Sequence, residues 1–438
     1  MDRTIQHQLK AWKNNDRRKP LILRGARQVG KTWSIKQFGK SEFENCAYID
    51  FERTNEIRRV FGETLDPKKI LSTLELITSE RIIPGRTLLV FDEIQACPRA
   101  ITGLRYFYEE VPDLHVIAAG SLLEFALKEV SFPVGRVQFL HQYPLTFAEY
   151  LIATNHAEAA DLIQNADNTV SPVVHDFLIN ELRRYFFIGG MPEAVLAFVE
   201  TGSLHESFRV QEEIVETYRL DFAKYSPRVD KHCLNAVLSS GARSIGKQTK
   251  YSKLAEGYAN ATIKNSYEIL CLAGIFKKIS STIPSGLPLE AGASSKVFKT
   301  IMVDIGLLRY FSGMPADIEY SAPNILDIYR GAMAEQFAGQ EIAAAQGGEL
   351  YYWARQEKSS SAEVDYIAVV NGSIIPIEIK SGASGRLKSM HLFLKIFREC
   401  KEGLVFSSNP ASHLPDQKLR FLPLYFLQGA MKCRKVVF

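Results

Sequence analysis

The chain has 438 residues, 46% of them hydrophobic, and a formal net charge of +4. It is long enough for roughly two to four packed domains, has no run near the ~18 uncharged apolar residues that span a bilayer, and opens without an apolar signal core, which predicts a cytoplasmic protein with no membrane partner. The six cysteines stand singly, with no spacing suited to zinc or a redox couple, and +4 is too small to mark a nucleic-acid binder by itself.

The first predicted elements are a strand at Leu21 to Leu23, a loop over 25–30 and a helix from Lys31, within "LILRGARQVGKTWSIKQF". Gly25, Ala26, Arg27, Gln28, Val29, Gly30, Lys31 and Thr32 fill every position of G-x-x-x-x-G-K-[ST]. Backbone N–H groups of such a loop point at the phosphates of ATP, Lys31 reaches the β and γ phosphates, and the Thr32 hydroxyl coordinates Mg2+; Trp33, next along the helix, joins the candidate contacts. The next signal is "RTLLVFDEIQ", a buried strand from Leu88 to Phe91 that ends in Asp92 and Glu93. Asp92 is expected to hold a magnesium-bound water and Glu93 to polarise the attacking water, so hydrolysis is favoured over passive binding. A further strand, "LHVIAAGS", ends in Ser121, either a γ-phosphate sensor or a simple turn.

With "GRVQFLHQYPLTFAEYL" and "FFIGGMPEAV", these motifs resemble the prokaryotic AAA-type P-loop ATP-binding proteins that carry a C-terminal domain of unknown function. The resemblance runs over nearly the whole chain and implies an α/β fold with an AAA-type ATPase core, here residues 1–143. It implies two further site residues. Arg136 stands where related ATPases place an arginine that stabilises developing γ-phosphate charge, in its own site or a neighbour's; a solvated surface arginine is the alternative. Pro192 falls where related switch ATPases touch the adenine from the lid, the alternative being an ordinary helix start.

From Pro144 to about Pro227 apolar residues recur at helical spacing, which predicts a helical lid over 144–228. In "YSKLAEGYANATIKNSYEILCLAGIFKKIS" we read a helix, a turn around Asn260, a second helix from Thr262 to about Leu272 and a strand, the order of a winged helix domain over 229–322. Residues 241–300 carry nine Lys or Arg against three acids. Lys264 and Asn265 at the second helix start, with Lys250, Lys253, Lys277 and Lys278 around them, are candidates for DNA contact; a rigid coupler to a protein partner is the other reading.

The last stretch, 323–438, predicts a helix bearing Glu335, a strand at "ELYYWAR", a strand around Asp365 and a strand ending at Lys380. That order resembles the restriction-endonuclease-like nuclease fold (PD-(D/E)xK). There Asp365 and Glu378 would hold a hard divalent ion, with Glu335 as a third carboxylate, while Lys380 orients or activates water. A nonenzymatic switch with an inactive nuclease fold stays open, as does the oligomeric state.

Overall fold

The computed structural model describes residues 3–120, 123, 125, 135–225, 229–311, 326–357, 360–380 and 387–432. It divides into two compact units, Met1–Tyr143 with Leu272–Gly274, and Pro144–Cys271 with Ile275–Phe438.

The first unit runs α1 (Ile5–Lys13), β1 (Leu21–Arg24), α2 (Lys31–Glu42), β2 (Asn45–Asp50), α3 (Asn55–Glu63), α4 (Pro67–Thr78), β3 (Thr87–Asp92), α5 (Pro98–Glu110), β4 (His115–Ala119), β5 (Gln138–His141). Its strands form one parallel sheet in the order β2-β3-β4-β1-β5. Helices cover both faces, and β3 shows what that asks of the sequence. Leu88 and Val90 pack with Leu21, Leu23, Ile35 and Phe38, whereas Leu89 and Phe91 join Ile22, Phe51, Phe61 and Leu104 in a second core. A strand buried on both faces cannot alternate with polar residues, so "LLVF" is an unbroken apolar run. Because the strands are parallel, β1 delivers the loop 25–30, and β3 delivers Asp92 and Glu93, to the same sheet edge.

The second unit begins with five helices, α6 (Phe147–Ala153), α7 (Ala157–Ile163), α8 (Pro172–Ile188), α9 (Pro192–Thr201) and α10 (Leu204–Tyr225). Thr146 and Glu149 of "LTFAE" form a capping box at α6: Thr146 Oγ1 accepts from Glu149 N–H at 3.3 Å, and Glu149 Oε2 accepts from Thr146 N–H at 3.0 Å. The "GGMPEAV" block is pinned to it. Leu145 N–H donates to the Gly190 carbonyl at 2.6 Å, and a Cβ on Gly190 would lie 2.1 Å from the Leu145 carbonyl oxygen. The two blocks are thus locked together by backbone contact, which explains the glycine.

There follow α11 (Lys231–Arg243), α12 (Asn260–Leu272), the hairpin β6 (Phe276–Thr282) and β7 (Ala293–Met302), α13 (Ile305–Phe311), α14 (Leu326–Gln346), β8 (Leu350–Glu357), β9 (Ser360–Val370), β10 (Ser373–Ile379), α15 (Lys388–Ile396), β11 (Gly403–Ser407), β12 (Ser412–Leu414), β13 (Leu419–Pro423) and α16 (Leu427–Met431). The helix expected over 251–259 is absent. Only a single 3-10 turn, Tyr251–Lys253, forms there; Gly257 sits at φ +80°, and Asn260 opens α12 instead of making a turn. The hairpin β6-β7 does not stand apart. It joins an eight-stranded sheet in the order β12-β13-β11-β10-β9-β8-β6-β7, with β6 parallel to β8. Strands β9 and β10 meet through Asn371 and Gly372, both at positive φ, as a two-residue hairpin turn requires.

Candidate nucleotide site and a lysine–carboxylate cluster

Gly25 is at φ +143°, and a Cβ there would lie 2.3 Å from the Gln142 carbonyl oxygen, so only glycine fits. Gly30, at φ +89°, turns the chain into α2, whose first residue is Lys31. Gln142 Nε2 and Arg3 Nη1 donate to the Val29 carbonyl at 2.8 and 3.2 Å and hold the loop from behind. The buried Lys31 ammonium donates to the carbonyls of Gly25 at 2.8 Å and Ala26 at 2.7 Å. Burial pushes it down to about 8, against the upward pull of Glu93 and Asp92.

Thr32 Oγ1 donates to Asp92 Oδ2 at 3.1 Å, and Asp92 Oδ1 accepts from Glu93 N–H at 3.0 Å. Two hard oxygen donors therefore stand side by side beneath the loop. They fit Mg2+, with Thr32 and Asp92 holding it. Tyr48 on β2 donates its hydroxyl to the same Asp92 Oδ2. Burial and this hydrogen bond hold the phenol protonated, far above its ordinary range. Nothing in the sequence marked Tyr48; register does, since Asp50 pairs with Asp92 and alternation puts residue 48 on the same face. Glu93 takes left-handed backbone, φ +48°, and its Oε2 accepts from Gln95 Nε2. A Cβ on Gly120 would come within 2.0 Å of Gln95 Oε1, so Gly120 leaves room for that side chain. Ser121 lies outside the described residues.

Residues 17–151 match the family described as AAA domain. With the loop, Thr32 and Asp92 in place, this part of the chain is an AAA-type P-loop ATPase domain. Residues 179–317 match the domain of unknown function DUF8612, and residues 330–427 the domain of unknown function DUF4143. No curated protein matches the sequence. Among solved structures, the chain is similar to the Walker-type ATPase PABY2304 of Pyrococcus abyssi at 14% identity, over 71% of this chain and 95% of that one, with a TM-score of 0.45. It is similar to the ORC1 protein of Aeropyrum pernix, solved in complex with DNA, at 13% identity over 71% and 91%, TM-score 0.29. Drosophila ORC bound to DNA matches at 13% identity over 71% and 95%, TM-score 0.29.

In the ATPase domain, Trp33 is 46% exposed beside Thr32. Arg136 is not brought to the phosphate loop of its own chain. It lies just before β5, at the end where β1 begins, and its Nε donates to Glu109 Oε1 at 2.8 Å. Pro192 is the first residue of α9, with Met191 as N-cap.

The basic residues do not share one front. Lys250, Lys253, Lys264 and Asn265 are exposed, with Lys264 Nζ 3.7 Å from Glu268 Oε1 one turn on. Lys277 and Lys278 are adjacent on β6 and so point to opposite faces. Lys278 donates to the Tyr251 hydroxyl at 2.9 Å and sits 4.7 Å over the Phe298 ring; burial lowers the pKa of Lys277, with Glu349 opposing. Lys278 thus packs on two aromatic side chains, and both lysines are half-buried.

At the far end, extending the β9-β10 register one residue beyond Ile377↔Tyr366 sets Glu378 opposite Asp365. Asp365 Oδ2 accepts from Ile379 N–H at 2.8 Å. Glu378 Oε1 accepts from Lys380 Nζ at 2.6 Å, and Glu378 Oε2 is buried without a hydrogen-bond partner. Among these carboxylates lies a cation that sequence reasoning missed. Lys299 of β7, its side chain 1% exposed, places Nζ 2.6 Å from Glu363 Oε1, 2.7 Å from Glu335 Oε2 and 3.4 Å from Asp365 Oδ1. Burial lowers its pKa, but Asp365, Glu335 and Glu363 together outweigh that and keep it charged. Burial and the charge of Asp365 push Glu335 and Glu378 upward, opposed chiefly by Lys299 and Lys380 respectively. Among the described residues no three His, Cys, Asp or Glu side chains are arranged to hold a metal ion. The expected metal set of Glu335, Asp365 and Glu378 therefore does not fit a divalent cation as arranged, because an ammonium already draws in Glu335 and Asp365 while Glu378 engages Lys380. A signal for Lys299 was present: one lysine inside the apolar strand "VFKTIM".

Proposed function

We propose that the chain is a magnesium-dependent ATPase whose nucleotide state controls a DNA-contacting basic segment around α12 and a restriction-endonuclease-like effector fold. The observation that carries it is the junction of Thr32, Asp92 and Glu93 at the mouth of the loop. Bound ATP would draw Lys31 from the Gly25 and Ala26 carbonyls to the phosphates, satisfying a buried ammonium with stronger, charged acceptors. Mg2+ on Thr32 and Asp92 would neutralise charge on the phosphates. Glu93, one residue on, would take a proton from the attacking water, with Gln95 fixing its orientation. Lys31→Ala is expected to weaken ATP binding about 100-fold by calorimetry. Unchanged affinity would put nucleotide elsewhere.

For the downstream part, the exposed Lys250, Lys253, Lys264 and Asn265 support DNA contact near the start of α12. The order α14-β8-β9-β10-α15-β11, with β10 antiparallel to β9 and parallel to β11, is consistent with the nuclease-like fold. The second reading, an effector fold that does not cut, is favoured by Lys299 within the carboxylates.

A further inference from the structure

We infer that the Lys299 ammonium is a built-in counter-cation that takes the place of a divalent metal among Glu335, Glu363 and Asp365, so that this centre is a closed ionic lock instead of a metal site. The inference rests on the reading that the far end is a noncutting effector fold. Four carboxylates, Glu335, Glu363, Asp365 and Glu378, come from α14, β9 and β10, and such a group taken out of water needs a cation. Lys299 supplies it from β7, a strand far earlier in the chain. Its ammonium touches three of the four within 3.4 Å, and its side chain is almost fully buried. The hold on Lys299 is doubled from behind, since Gln248 Nε2 donates to Glu363 Oε2 at 2.6 Å and so fixes the carboxylate that makes the shortest contact. Lys380, the lysine of the Glu-x-Lys pattern, spends its ammonium on Glu378 at 2.6 Å. A dication held by the same carboxylates would bring a second positive charge close to this ammonium in a poorly solvated site, and the two would repel strongly. The lock also has a structural result. It ties β7 to α14 and β9 by charge, in addition to the strand pairing through β6 and β8.

Removing the ammonium should turn the lock into a metal site. The test is Mn2+ binding to the nucleotide-free full chain, followed by electron paramagnetic resonance, with thermal melts in parallel. Wild type is expected to bind no Mn2+ that Asp365→Asn abolishes. Lys299→Met should melt about 10 °C lower, because buried carboxylates lose their partner, and recover much of that loss with millimolar Mn2+. It should also gain one Mn2+ per chain, lost again in the Lys299→Met, Asp365→Asn double variant. Lys299→Arg, which keeps the charge, should gain no such site. A wild-type Mn2+ site sensitive to Asp365→Asn overturns the inference, as does a folded Lys299→Met that binds no metal or melts like wild type. If Lys299→Met does not fold, the wild-type arm decides alone. Nicking of supercoiled plasmid is scored beside it: Mn2+ bound at Asp365 without nicking overturns the inference and leaves the noncutting reading standing, whereas nicking without that metal overturns the noncutting reading alone.

Discussion

Asp92 is the residue on which most of the nucleotide site converges: Thr32 and Tyr48 both donate to its Oδ2, and the Glu93 N–H to its Oδ1. A carboxylate so fully engaged has one orientation, which is what a metal-holding group needs. Tyr48→Phe removes one of those donors and leaves the ring. We expect it to lower ATP turnover about 10-fold at limiting Mg2+ with much of the loss recovered at saturating Mg2+, read as a split between apparent Mg2+ affinity and kcat. An equal drop at every Mg2+ concentration would place Tyr48 in packing alone. Gly25, Lys31 and Thr32 were legible in the sequence because a phosphate loop asks for those residue types at fixed spacing, and Asp92 and Glu93 because two carboxylates end a buried apolar strand. Tyr48 and Lys299 were not, because their roles come from cross-strand register and from a cluster assembled between strands far apart in the chain. Local pattern does not carry Tyr48, and for Lys299 it gives only a lysine inside an apolar strand, not its partners.

Elements were read well where one period dominated. The apolar run of β3 and the Asn371-Gly372 turn each follow from short-range chemistry. The stretch 251–259 failed the same test. Its apolar spacing resembles a helix, but Gly257 at positive φ and the packing of Tyr251 against Phe298 and Tyr267 hold it as a 3-10 turn followed by bends. The same packing engages the Lys278 ammonium with Tyr251 and Phe298. Replacing the exposed Lys250, Lys253 and Lys264 by Glu is therefore expected to weaken DNA binding and reduce the slope of log K against log salt by about 1 for each phosphate that is no longer neutralised, measured by fluorescence anisotropy. Replacing Lys278 instead should chiefly lower the melting temperature. An unaltered isotherm for the triple variant would favour a coupler that binds protein.

At the scale of the whole molecule, two compact units divide the work proposed here: a parallel sheet that carries the nucleotide loop, and a larger unit whose eight-stranded sheet runs through both the hairpin β6-β7 and the strands that bear Asp365 and Glu378. That shared sheet was hidden in the sequence, because a parallel pairing such as β6 with β8 joins strands with β7, α13 and α14 between them and has no local signature. The central claim is that the phosphate loop hydrolyses ATP with Glu93 as the base. Phosphate release by wild type and Glu93→Gln at saturating ATP and Mg2+ tests it most directly. Turnover is expected to fall at least about 100-fold in Glu93→Gln while its ATP affinity stays within about twofold of wild type. Equal turnover in the two proteins would contradict the account.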